Sequence, residues 1–221
     1  MSEDFWAVVV ARVRAPKSRL AGVLDQAARQ ALVLDMLEHV LDACRSCALL
    51  KGTIAVVDTR EAQQLAFGAG VCVVPEPPGG FGGMNAAVQA GLEKAAQCGA
   101  AGAIVLPGDL PLLSDTDLDS LISAADRLER AVVIGASRDG AGTNALLLRP
   151  PDVIAPAFGP PSVDRHAALA RSAGARVSVL RGLDLALDVD TPDDLEVWRA
   201  LQRKMSPSSG RSTSGLADWS R

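Results

Sequence analysis

Residues 101–113 read AGAIVLPGDLPLL, and this stretch decides the fold. A small apolar run stops at Pro107-Gly108, presents one acid, Asp109, and resumes with Leu110-Pro111-Leu112-Leu113. Short apolar runs bounded by turn residues are the pattern of strands buried on both faces of a parallel sheet. Open α/β sheets bind their ligands at the carboxyl ends of such strands. Asp109 is therefore placed to hold a metal or a ligand hydroxyl, although a turn Asp capping the following helix would show the same pattern.

The sequence on either side supports that frame. Phe5–Val10 (FWAVVV) is a β-branched apolar run suited to a central first strand. Residues 26–44 then place Leu32, Met36, Leu37, Val40 and Leu41 on one helical face and charges on the other, as a crossover helix requires. Thr53–Asp58, Arg60–Phe67 and Val71–Val74 continue the strand–helix–strand rhythm, which points to an α/β, mainly parallel sheet. Further helices are expected at Met84–Cys98, at Asp115–Leu128 with Ser114 as N-cap, and at Val163–Ala173 with Ser162 as N-cap. Ala131–Ala136, Asn144–Leu148, Ala175–Leu180 and Leu185–Asp190 read as strands, and Thr191-Pro192 opens a last helix. Residues 1–203 thus form one domain. Residues 204–221, rich in Ser and Gly without apolar periodicity, are expected to be a disordered tail.

Composition excludes several function classes. An apolar fraction of 48% over 221 residues fills one substantial core. No apolar run is long enough to span a bilayer, and the acidic N-terminus is unlike a secretory signal, so a cytoplasmic protein without membrane contact is expected. With 22 basic and 26 acidic residues the net charge is −4, which gives no reason to expect nucleic acid as a partner. Cys44 and Cys47 form a C-x-x-C, but no second ligand pair follows it and it ends a helical pattern. The cysteines therefore read as incidental reduced thiols. His39, with no catalytic partner nearby in sequence, reads as a surface or packing residue.

The chemistry concentrates in five places. Arg12, Arg14, Lys17 and Arg19 crowd the loop after the first strand, where phosphates are received in such folds. Pro75–Gly83 (PEPPGGFGG) is either a lid or a wall that lets backbone approach a flat ligand. Gly142-Thr143-Asn144 offers a hydroxyl, an amide and unhindered N–H groups suited to an anion. Ser162, after Phe158-Gly159-Pro160-Pro161, opens a helix whose N-terminus is a second anion site needing no net charge. Finally, Asp188 and Asp190 alternate along an extended segment and repel each other unless they share a cation. Asp109, Asp188 and Asp190 all end expected strands, and an oxygen-only set selects a hard cation, Mg²⁺. Phosphoryl or nucleotidyl transfer is the chemistry these features share. Neither a G-x-G-x-x-G after the first strand nor a P-loop is present.

Six blocks in this order carry a resemblance to a known family. They are Ala15-Pro16-Lys17-Ser18-Arg19-Leu20, Met84-Asn85-Ala86-Ala87, Leu106-Pro107-Gly108-Asp109-Leu110-Pro111, Gly142-Thr143-Asn144-Ala145-Leu146, Phe158–Ser162 with Arg165-His166, and Leu187–Leu195. Over about residues 5–200 the chain resembles the guanylyltransferases that activate phosphorylated three-carbon acids, such as 2-phospho-L-lactate or phosphoenolpyruvate, in making coenzyme F-420. The resemblance implies a single-domain, three-layer nucleotidyltransferase fold, GT-A-like and Rossmann-like, with a mainly parallel central sheet. It implies GTP and a small phosphorylated carboxylic acid as substrates, Mg²⁺ as cofactor, pyrophosphate as leaving group and a downstream transferase of the pathway as partner. It assigns metal binding to Asp109, Asp188 and Asp190, acid-phosphate binding to Thr143, Gly159 and Ser162, and nucleotide contacts to Lys17, Arg19 and Asn85.

The chain departs from the family where a Lys usually follows the first strand and Ala11-Arg12 stands instead: either Arg12 or Arg14 supplies that charge from a shifted position, or triphosphate binding is weakened. Two rival readings differ in class. Another GT-A nucleotidyltransferase, acting on molybdopterin or a sugar phosphate, would carry an L-A-G-G-type signature that is absent here. A degenerate nucleotide-binding regulatory module would bind GTP or the phospho-acid without releasing pyrophosphate.

Overall fold

The structure is a computed structural model that describes residues 4–76, 80, 82–182 and 184–205. Seven strands, β1 (Phe5–Ala11), β2 (Leu50–Val57), β3 (Cys72–Pro75), β4 (Gly102–Pro107), β5 (Ala131–Ala136), β6 (Thr143–Arg149) and β7 (Arg176–Leu180), form one sheet in the order β3-β2-β1-β4-β6-β5-β7. All pairings are parallel except those of β6, which runs antiparallel to β4 and β5. Strand order turns at β1, with β2 and β3 on one side and β4 on the other, and crevices in such sheets open at this kind of position.

Period-2 side-chain alternation makes the sheet the middle of three layers. Phe5, Ala7, Val9 and Ala11 join one buried cluster with Leu37 and Leu41 of α1 (Gln26–Ser46), Ala62 of α2 (Arg60–Gly68), Leu118 of α4 (Asp115–Ser123) and Trp198 of α6 (Pro192–Met205). Val8 and Val10 point the other way, into a second cluster with Val88 and Leu92 of α3 (Met84–Gln97) and Val163 and Ala167 of α5 (Ser162–Ser172). The three-layer α/β architecture with a mainly parallel sheet is as the sequence implies. Among the described residues no helix is long and apolar enough to cross a membrane.

Three local expectations are corrected. Leu185–Asp190 is not a strand; a 3-10 turn spans Asp184–Ala186 and the rest is irregular. Its carbonyls are taken by side chains and a loop amide instead of a neighbouring strand: Asn144 Nδ2 donates to Leu185 O at 3.1 Å and Ala186 O at 3.2 Å, and Arg138 N donates to Ala186 O. Ser162 is not an N-cap but the first residue of α5, preceded by Pro161, and its hydroxyl is directed elsewhere. Helix α4 ends at Ser123, five residues before the expected Leu128, in turns that include Arg127 with φ 58°. Ser114 does cap α4, in a reciprocal capping box with Asp117. The expected tail begins inside α6, which runs to Met205; residues 206–221 lie outside the described residues, as do 77–79 and 81 of the glycine-rich segment.

Candidate active site

Asp109 is placed by backbone packing. Gly108 N donates to Val10 O at 2.9 Å, which extends the β1–β4 ladder by one step. A Cβ at Gly108 would lie 2.7 Å from Ala11 Cβ, so only glycine lets the two strand ends approach this closely. Leu110 and Leu113 are buried behind it and anchor the loop. Asp109 is thereby held at the carboxyl end of β4, beside the end of β1.

The basic loop after β1 brings Lys17 to it. Lys17 sits in the left-handed region with φ 48°, ahead of a 3-10 turn, Ser18–Leu20, whose Leu20 is wholly buried. Its ammonium donates to Asp109 Oδ2 and, at 2.8 Å, to Asp190 Oδ1. Burial alone would favour the neutral amine, but the two carboxylates outweigh it and hold Lys17 above the ordinary lysine range. Arg19, largely exposed, stands 3.8 Å from Asp190 Oδ2.

Asp188 and Asp190 reach the same edge without a strand. Leu187 and Val189 between and before them are buried in the core, so the two acids project outward together. Asp188 is held above the usual carboxylate range, first by burial and then by the charge of Asp109. Asp194 fastens the segment: its Oδ2 accepts from Thr191 N at 2.9 Å and Asp190 N at 3.3 Å, and its Oδ1 from Arg138 at 2.7 Å.

The oxygen donors suit a hard cation. Asp109 Oδ1 is buried without a hydrogen-bond partner, and Asp188 is destabilised as an anion by Asp109, so a cation shared between them would answer both deficits. As it stands, no three acid, imidazole or thiolate groups among the described residues are gathered into a metal-holding set. The Lys17 ammonium bridges Asp109 and Asp190 instead.

A second polar group lies at the start of β6 and α5. Ser162 Oγ donates to Thr143 Oγ1 at 3.0 Å, and His166 Nδ1 stands 3.1 Å from the same oxygen. Ala157 N donates to His166 Nε2 at 3.0 Å. Gly159, with φ 102°, turns the chain just before α5, and its carbonyl accepts from Arg165 Nη2. The other expected donors here are spent on the fold: Asn144 on the 184–186 turn, Gly142 N on Ser137 Oγ at 2.8 Å, and Val163 N on Ala141 O. Thr143 and Ser162 do come together, with Gly159 in the turn that leads to Ser162, whereas Asn144 supports the carboxylate segment.

Asn85 is placed differently from the nucleotide contacts. Its Oδ1 accepts from Phe158 N at 2.7 Å and its Nδ2 donates to Phe158 O at 3.3 Å, so the first turn of α3 clasps the loop that precedes α5. Arg14 is likewise engaged, its guanidinium on Asp58 O at 2.9 Å while Asp58 Oδ1 accepts from Val13 N at 2.7 Å. Arg12 remains exposed and, with Val10, Ala11, Val56, Val57, Asp58, Glu76 and Ala87, lines an open cleft over the ends of β1 and β2. Of the two residues able to supply the charge missing at Ala11, Arg12 is the one that faces open space.

Three participants escape a reading of the sequence as isolated motifs: His166, Asp194 and Asp58. The first two had a signal. Ser162 and His166 are four apart on one helix and share a face, and Thr191-x-x-Asp194 has the spacing of a capping box. Asp58 had none, because its contacts are to backbone 44 and 45 residues away. The thiols are as expected: burial pushes Cys44 up to about 12 and raises Cys47, and no disulfide forms among them. His39 packs α1 against the loop before α4, with Nε2 2.9 Å from Leu113 O.

The chain is 39% identical over 197 residues to the phosphoenolpyruvate guanylyltransferase of Conexibacter woesei, covering 89% of this chain and 87% of that one. It is 37% identical to the 3-phospho-D-glycerate guanylyltransferase of Phenylobacterium zucineum, covering 91% and 90%. In structure it resembles a nucleotidyl transferase from Methanothermobacter thermautotroptrophicus, with a TM-score of 0.68 at 19% identity over 92% and 99% of the two chains, a likeness of fold. The family described as "Guanylyl transferase CofC like" matches residues 7–198, nearly the whole described chain, and the chain belongs to that family.

Proposed function

We propose that this chain transfers GMP from GTP to the phosphate of a phosphorylated three-carbon acid, 2-phospho-L-lactate, phosphoenolpyruvate or 3-phosphoglycerate, and releases pyrophosphate. The observation that carries the reading is the meeting of Lys17, Asp109 and Asp190 at one sheet edge. The hydroxyl pair of Thr143 and Ser162 lies on the next segment along that edge, since Asn144 ties β6 directly to the turn leading to Asp188.

The residues divide the work. The open cleft beside β1 and β2 receives the nucleoside, with Arg12 and Arg19 facing the triphosphate. The Thr143 hydroxyl and the backbone at Gly159 and Ser162 hold the acid's phosphate, so that its oxygen lies in line with the α-phosphorus. No protein nucleophile is required, because an ionised phosphate is already competent. Asp109, Asp188 and Asp190 would hold Mg²⁺, which when bound supplies neutralising charge to the phosphates as pyrophosphate departs. Lys17, whose ammonium Asp109 and Asp190 hold at this edge, would donate to a phosphate oxygen. The product keeps an activated diphosphate bond, and a downstream transferase that attacks it and expels GMP would consume it. The reading puts this work in the cytoplasm, where a pool of GTP is at hand.

The test is pyrophosphate release with GTP against 2-phospho-L-lactate, phosphoenolpyruvate and 3-phospho-D-glycerate, with ATP and CTP as donor controls and EDTA as the metal control. One acid should support turnover with GTP and Mg²⁺ and lose it with EDTA. Binding of GTP or acid by calorimetry without pyrophosphate from any acid would identify a regulatory binding module instead.

A further inference from the structure

His166 has no part in the chemistry above, yet it is wholly buried and bonded at both ring nitrogens. Those two bonds fix its tautomer. Ala157 N–H can only donate, so Nε2 is the unprotonated nitrogen and a neutral ring carries its proton on Nδ1. Nδ1–H then donates to Thr143 Oγ1, which also accepts from Ser162 Oγ–H. A hydroxyl oxygen has two lone pairs and one proton. With both lone pairs of Thr143 taken, its O–H must point away from His166 and Ser162. Thr143 is itself buried, and with His166 and Ser162 both donating to its oxygen the O–H is turned out of this cluster.

We propose that His166 is a positioning residue: as the Nδ1–H tautomer it turns the Thr143 hydroxyl into an obligate donor toward the phosphate of the acid substrate. The proposal rests on the reading of Thr143 as a phosphate-binding residue. An ionised phosphate is only an acceptor, so a site whose hydroxyl could rotate to present a lone pair would hold it less well. The neutral ring is also the state the surroundings favour. Burial, with the nearby charge of Arg165, lowers its pKa to about 4, and a protonated Nε2 would face the Ala157 N–H donor to donor. Phe158 closes one side, its ring edge-on to the imidazole at 5.0 Å.

Two substitutions separate positioning from packing. In His166→Asn the amide nitrogen falls near the Nδ1 position, so the donor to Thr143 survives while the Ala157 contact is lost. In His166→Gln the amide oxygen reaches the Nε2 position, so the Ala157 contact survives while the donor is lost. The Gln variant should raise KM for the phospho-acid by about tenfold, the worth of one misdirected hydrogen bond, with KM for GTP unchanged, and the Asn variant should stay near wild type. Equal defects in both variants, or a normal Gln variant, would overturn the proposal.

An imidazole ¹⁵N NMR spectrum of the wild-type chain tests the geometry without any variant or turnover. The chain has only two histidines, and His39, which faces the Leu113 carbonyl through Nε2, must be protonated there and serves as the opposite-tautomer reference. His166 protonated at Nε2 would sink the idea. If no phospho-acid supports pyrophosphate release, the guanylyltransferase reading fails, and the spectrum still decides the His166 tautomer independently.

Discussion

The Lys17 ammonium lies 2.8 Å from Asp190 Oδ1 and is buried, with 7% of its side chain exposed, while Asp190 is 45% exposed. A buried cation held by two acids at the carboxyl edge of the sheet has two consequences. It neutralises the acids when nothing else does, and it competes with a divalent cation for the same oxygens.

Lys17→Met separates those roles. Without the ammonium, Asp109 and Asp190 repel each other, and the partly solvated pair should cost about 2 kcal/mol of stability in metal-free buffer. Millimolar Mg²⁺ should restore much of the loss, because the acids then have a counter-charge. Thermal denaturation with and without Mg²⁺ checks this, and a variant equally stable in both buffers would show that the acids do not take up the ion.

Asp109→Asn keeps the side-chain shape and removes the charge. Its main-chain position is set by Gly108 and the buried Leu110 and Leu113, so the fold should persist. Turnover should fall by about a hundredfold or more, a typical loss for a group that stabilises charge in the transition state. Pyrophosphate release near the wild-type rate would remove Asp109 from the reaction.

The His166 shift gives stability a pH dependence with a definite sign. The folded chain holds this ring neutral down to about 4, whereas the unfolded chain protonates near the ordinary value of 6.5. The contribution is complete above pH 6.5, declines as pH falls from 6.5 toward 4, and then levels off, for a total of no more than about 3 kcal/mol. Urea denaturation across that window should show the decline in wild type and a flatter profile in His166→Asn. Parallel profiles would mean the ring titrates normally.

Helix α3 rests on the sheet at Gly91, where a Cβ would lie 2.3 Å from Val8 Cγ1 and 3.0 Å from Val56 Cγ2. Gly91→Ala improves helix propensity yet overpacks this contact, and the net should be destabilising by about 1 to 3 kcal/mol. Because α3 carries Asn85 and so the clasp on Phe158, KM for the acid should also rise. A melting temperature at or above wild type would show that the helix lifts without cost.

What the sequence determined by itself was the sheet and its chemistry-bearing edge. Apolar runs such as Ala131–Ala136 and the Pro107-Gly108-Asp109 stop are local signals, because strand burial and turn geometry depend on neighbouring residues. The grouping of Asp109 with Asp188 and Asp190 was legible for the same reason, even though Leu185–Asp190 proved not to be a strand: in–out alternation survives wherever the chain is extended. Only tertiary structure decided which polar side chains act and which are occupied. Asn144 and Asn85 carry the right groups for ligand binding, but both spend them on backbone carbonyls and amides that arrive from 41 and 73 residues away. Lys17 reads as a phosphate contact until the fold places two carboxylates around it, and the role of His166 is not legible until Ala157 dictates its tautomer. A hydrogen-bond partner distant in sequence leaves no local pattern, so the partition between structural and ligand-facing polar groups exists only once the chain has closed on itself.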